Sequence, residues 1–183
     1  ELALMRAGEH KIARDYVIYR EEQSRKRAQK RALSAEAERV AGGISVVQAD
    51  GSRAPLDVER MQTVVAEACE GLVDVSASKI LEEALRNLYD GVTLDEVTTS
   101  LVITARTLIE QEPNYTYAAA RLLCDDLRSE AHEFLGIAAR ATQNEMTAYY
   151  PQALQAYIAR GIELELLSPE LAEFDLMQLG AAI

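Results

Sequence analysis

Ile44-Ser-Val-Val-Gln-Ala-Asp-Gly-Ser-Arg-Ala-Pro-Leu-Asp-Val-Glu-Arg-Met61 is the stretch on which the fold turns. Ile44, Val46 and Val47 are β-branched, and Asp50-Gly51 is a strong hairpin turn signal. Pro55 has no N–H to donate, so it suits the edge of a small sheet. Asp57 stands where a helix N-cap belongs, ahead of Val58. The stretch predicts a hairpin over 44–56, the only strand candidate in the chain, running directly into a helix. A two-stranded ribbon is marginal alone, so it has to lie on an apolar surface.

Working outward, four helices supply that surface. The first is expected over about 57–71, with Met61, Val64, Val65, Ala68 and Leu72 inward. Ser76 caps the second, about 76–89, with Ile80, Leu81, Ala84, Leu85 and Leu88 inward. Thr93 and Glu96 form a capping box for the third, about 94–111, which carries Val97, Leu101, Ile103, Ala105, Leu108 and Ile109. Pro113-Asn114 breaks the chain and caps the fourth, about 115–134, with Tyr117, Ala120, Leu123, Cys124, Leu127 and Ala131 inward. Helices of this length joined by short turns pack as an antiparallel bundle. The fold class is mainly α: a four-helix bundle capped by a short hairpin and flanked by further helices.

Upstream, residues 1–33 read as a helix with Ile12, Tyr16 and Tyr19 at helical spacing, running into the charged tract 20–31. Ser34 to Val40 forms a short helix that Gly42-Gly43 ends, at the entry to a unit spanning 34–135. Downstream, 136–183 is helical, with Met146, Tyr149, Tyr150, Leu154, Tyr157 and Ile158 packing inward. Pro151 interrupts that helix, and Ser168-Pro169-Glu170 opens another through Leu171 and Phe174. The chain begins without Met, in mid-pattern, and ends without a polar tail, as a piece of a larger protein does.

Charge narrows the partners. The net charge is −11 over 183 residues. Residues 1–40 hold ten Lys/Arg and seven Asp/Glu, a net of +3, and the remainder nets −14. An acidic body repels a phosphate backbone, which excludes duplex nucleic acid. No apolar run reaches the roughly 18 residues that a membrane span needs. Cys69 and Cys124 are too few for a disulfide framework and sit in helical patterns, so they are expected in the core of a cytoplasmic protein. His10 and His132 lie far apart without a metal-ligand partner and are read as solvated. Asp125, Asp126 and Glu130 are read as an exposed acidic face. No metal site and no catalytic set follow.

Three landmarks carry a family resemblance: the hairpin and helix start at 46–61, the turns Glu70-Gly-Leu72 and Leu88-Tyr-Asp-Gly91, and Pro113-Asn-Tyr-Thr-Tyr-Ala-Ala-Ala-Arg-Leu122. In this order and spacing the chain resembles the ATP-cone region of class I ribonucleotide reductase large subunits. Residues 136–183 are similar to the start of the catalytic part, and Glu9-His-Lys-Ile-Ala-Arg-Asp-Tyr-Val-Ile-Tyr-Arg20 is similar to the last helix of another cone. The resemblance implies the end of one cone, a whole second cone and the opening of the catalytic domain. It also implies a cytoplasmic role in regulating the reductase by ATP and dATP. The implied partners are the rest of the large subunit, other large subunits and the radical-generating small subunit. The radical chemistry would lie outside these residues.

The same resemblance sets expectations for the site. The family's hairpin reads Val-x-Lys-Arg-Asp-Gly, whereas here Gln48 and Ala49 stand in place of the two cations. Ser129 stands where the last helix commonly has Lys, and Asp125 and Asp126 lie nearby. Residual nucleotide contacts fall to Val46, Val47, Arg53, Asp57 and Arg60; Arg53 and Arg60 form either a smaller anion site on the hairpin or surface pairs with Glu59 or Asp57. A cone that has lost its effector follows, with ATP or dATP bound at an upstream cone instead. Two alternatives stay open: a working sensor built on Arg53, Arg60, Arg121 and Arg128, and a helical interaction module for subunit assembly that takes no nucleotide.

Overall fold

The computed structural model describes residues 12, 14, 16–21, 23–25, 42–48, 50–137 and 141–182. The helix expected over 34–40, and most of the charged tract, lie outside the described residues. Strands β1 (Ser45–Val47) and β2 (Arg53–Pro55) pair antiparallel, with Val46 opposite Ala54. The turn between them closes through Gly51 N–H to the Gln48 carbonyl at 2.9 Å.

The hairpin is not the only extended element. Strand β3 (Val92–Thr93) lies parallel to β1, giving the order β2-β1-β3 with Pro55 on an edge strand. Two residues are too short to show alternation, so no sequence period marks them. Gly91 makes the pairing possible: at φ +87 its N–H reaches the Ser45 carbonyl at 2.8 Å. Asp90 adds a second tie, accepting from Ser45 N–H at 2.8 Å and from the Ser45 hydroxyl at 2.5 Å.

Four helices follow: α1 (Val58–Cys69), α2 (Ala77–Asn87), α3 (Leu94–Thr107) and α4 (Tyr115–Phe134). Side chains start three of them. Asp57 accepts from Arg60 N–H at 2.9 Å, Ser76 from Lys79 N–H at 3.4 Å, and Thr93 and Glu96 complete a reciprocal box. The third helix is shorter than 94–111 because Leu108–Glu110 tightens into a 3₁₀ turn. The first two also stop short, at Cys69 and Asn87. Asn114 does not cap α4; its side-chain amide donates to the Val73 carbonyl at 3.1 Å.

Contacts run α1 to α2, α2 to α3, α3 to α4 and α4 back to α1, closing a ring. Val65, Ile80, Val92, Leu108 and Leu122 are the largest side chains wholly inside it, so β3 belongs to the same core as the helices. Burying each such side chain contributes about 1.5–3 kcal/mol.

Two helix faces differ from expectation. On α4 the buried stripe is Tyr115, Ala118, Ala119, Leu122, Asp125 and His132. Tyr117, Leu123 and Leu127 are exposed, as is Cys124. The more apolar stripe faces outward because the small Ala118 and Ala119 allow the close approach that a Tyr or Leu would block. On α3, Ile103 is exposed and Thr104 takes the inward position, one step along the stripe from Leu101.

Past the ring, helix α5 (Met146–Glu163) packs against α6 (Leu176–Ala181). Pro151 sits inside α5 and does not break it. The Pro151 backbone instead seats Gly180, where a Cβ would lie 2.5 Å from the Pro151 Cα. Tyr157 is exposed rather than packed in a core, and the Ser168-Pro169 start opens only a 3₁₀ turn, Pro169–Glu173, leaving Phe174 exposed. No helix among the described residues is long and apolar enough to cross a membrane.

Candidate functional site

A cavity of about 370 Å³ opens between the sheet and the helix ring, walled by β1, β2, α1, α3 and α4. Val46, Leu56, Met61, Val97, Leu101 and Leu122 make most of its lining apolar. Its polar members are Gln48, Asp57, Arg60, Thr98, Asp125 and Ser129. Each wall comes from a feature already described: β1 turns Val46 inward, the Asp57 cap places Arg60 on the first turn of α1, and the inward stripe of α4 carries Asp125.

Val46, Asp57 and Arg60 therefore meet in one cavity, while Val47 and Arg53 lie outside its lining. Arg53 borders a separate open hollow beside Gly42–Glu59, with its guanidinium 3.7 Å from Asp90; both side chains are more than half exposed. Asp57 is occupied as the cap of α1. Ion pairs seen among the described residues join Arg53 to Asp90 and Arg60 to Asp125, where the sequence suggests Asp57 or Glu59.

Arg60 pairs with Asp125, Nη2 to Oδ2 at 3.5 Å, and the two side chains are 23% and 12% exposed. The other Asp125 oxygen accepts from Arg128 Nη1 at 2.9 Å. Asp125 is thus a buried counter-ion between two arginines, not part of an exposed acidic face. Its position three residues after Leu122 and seven after Ala118, on the buried stripe, is the signal that locates it. The outer stripe of α4 is the more apolar of the two, so hydropathy alone does not reveal that position.

The remaining arginines are engaged elsewhere. Arg121 Nη1 donates to the Ala68 and Glu70 carbonyls at 3.1 and 2.7 Å, closing the end of α1. Arg128 reaches Gln143 at 2.5 Å, on the segment that leads to α5. Both line a second groove, of about 440 Å³, between α1, α4 and Gln143-Asn144. Glu67 sits in that groove and accepts from the Thr142 hydroxyl at 2.8 Å and Asn144 N–H at 3.3 Å.

Among the described residues lining the first cavity, then, one guanidinium, Arg60, meets two carboxylates, Asp57 and Asp125. Other candidate groups are chemically quiet. Burial pushes the Cys69 thiol up to about 11, and His132 is buried near the end of α4 rather than solvated. No cluster of three His, Cys, Asp or Glu suited to a metal occurs among the described residues.

Residues 44–130 match the model of the ATP cone domain. The chain is 32% identical over 185 residues to the ribonucleoside-diphosphate reductase subunit alpha of Chlamydia pneumoniae, covering all of this chain and 17% of that protein. It is 29% identical over 185 residues to the same subunit of Chlamydia trachomatis, again all of the chain and 17% of the relative. The Helicobacter pylori subunit is 32% identical over 94 residues, half of this chain (51%) and 12% of that protein. The chain spans about a sixth of the length of the chlamydial relatives.

Proposed function

We propose, from the premise that residues 44–130 are an ATP-cone domain and that the whole chain is homologous to ribonucleoside-diphosphate reductase alpha subunits, that this is an allosteric regulatory region whose cone has lost ATP and dATP. The cone acts as a structural relay between neighbouring regions of the subunit. In this reading, residues 1–33 end a preceding cone, 34–135 are a second cone of four bundled helices under a hairpin, and 136–183 open the catalytic domain. The effector binds upstream, in an enzyme of the cytoplasm that pairs with a radical-generating small subunit.

One observation carries the reading: Arg60, the one arginine among the described residues that line the cavity, is paired with Asp125. A triphosphate needs several charge-assisted donors, each contributing about 1.5–3 kcal/mol. Gln48, Ala49 and Ser129 replace three of them, a deficit of about 4–9 kcal/mol, or roughly three to six decades of affinity. The alternative sensor built on Arg53, Arg60, Arg121 and Arg128 is disfavoured, because Arg53 borders an outer hollow, Arg60 lines the cavity, and Arg121 and Arg128 line the separate groove, engaged with the α1 carbonyls and Gln143.

Restoring the cations tests this. The triple variant Gln48→Lys, Ala49→Arg and Ser129→Lys should bind dATP at least about a hundredfold more tightly than the natural chain, equivalent to two charge-assisted contacts. A folded variant with no gain would show that missing cations are not the reason.

A further inference from the structure

We infer that Asp125 is a built-in anion: one carboxylate shuts the cavity to polyphosphate and also fixes the segment 141–145 to the cone. This rests on the reading that the cavity, as it stands, is not a competent triphosphate site.

Asp125 lines both hollows, the cavity under the hairpin and the groove against Gln143-Asn144. Its two oxygens are divided between them. Oδ2 meets Arg60 from the cavity at 3.5 Å, and Oδ1 takes Arg128 at 2.9 Å, whose other nitrogen holds Gln143 at 2.5 Å. The same segment is pinned a second time by Glu67, through Thr142 and Asn144. A phosphate chain entering the cavity has to displace an anion that the fold already holds beside Arg60. Asp125 therefore stands where an effector's charge would otherwise act, and it keeps the connection to α5 in a single clamped state. The chemistry it excludes is a chain of phosphate groups, whether free or carried by a nucleotide.

The variant Asp125→Asn removes the charge and keeps the shape. Calorimetry on the whole chain with inorganic tripolyphosphate and with ATP gives the first readout; amide exchange at Thr142, Asn144 and Met146 gives the second. The variant should bind both probes at least tenfold more tightly than the natural chain, and those amides should exchange several-fold faster. A gain confined to ATP overturns the inference, because the phosphate chain would not be what is recognised. Unchanged tripolyphosphate affinity or unchanged exchange also overturns it, as does a general loss of stability with no gain in anion binding. If Asp125→Asn does not fold, Asp125→Ser carries the same two readouts. A natural chain that itself binds ATP tightly defeats the effector-loss reading; a silent natural chain with an unimproved variant defeats only this inference.

Discussion

Leu122 and Leu123 are neighbours in sequence and opposites in the fold: one is 1% exposed inside the ring and the other 46% exposed on the far face of α4. Hydrophobicity does not separate them, and the richer stripe of Tyr117, Leu123, Cys124 and Leu127 points the wrong way. What separates them is partner geometry, since Ala118, Ala119 and Leu122 fit against α1 and α3 where bulkier residues cannot. Leu122→Ala should cost about 2–5 kcal/mol of stability, the range for a large-to-small change in a close-packed core. Leu123→Ala should stay within about 0.5 kcal/mol. Urea unfolding of the two variants checks this, and equal losses would return α4 to the orientation its apolar pattern suggests. The Arg60–Asp125 pair was illegible for the same reason: it needs the face of α4 to be known first, and it joins residues 65 positions apart.

Local chemistry made the elements far more legible than their faces. Asp57, Ser76 and Thr93 with Glu96 each act within three residues, so their helix starts can be read directly from sequence. The strand at Val92–Thr93 cannot, because its pairing is decided by Ser45, almost fifty residues away. Two acids tie these local and distant elements together. Hydrogen bonds from Ser45 hold the Asp90 carboxyl below its usual range, and bonds from Thr93 and Tyr89 do the same for Glu96. A depressed carboxylate adds stability that is full above its unfolded value, about 4, and is lost as pH falls through its folded value. Melting temperature should therefore fall on acidification below about pH 4, and less steeply in the variant Asp90→Asn with Glu96→Gln. Parallel curves for the two proteins would remove these acids from the account.

Across the whole molecule, the sheet, the ring and the outgoing segment are joined by a small number of charged contacts on an otherwise apolar frame. The same frame that builds a nucleotide-sized cavity lines it with Val46, Met61, Leu101 and Leu122 and leaves Arg60 shared with Asp125. On the proposed reading kinship and activity separate: the hairpin and the 113–122 segment carry the resemblance, while Gln48, Ala49 and Ser129 stand where the family's cations would. The acidic body, −14 beyond residue 40, reinforces that separation at longer range. The direct test is a calorimetric titration of the natural chain with dATP. Effector loss predicts no saturable binding up to about 100 μM ligand, a limit weaker than roughly −5.5 kcal/mol. Saturable binding with a micromolar Kd would contradict it.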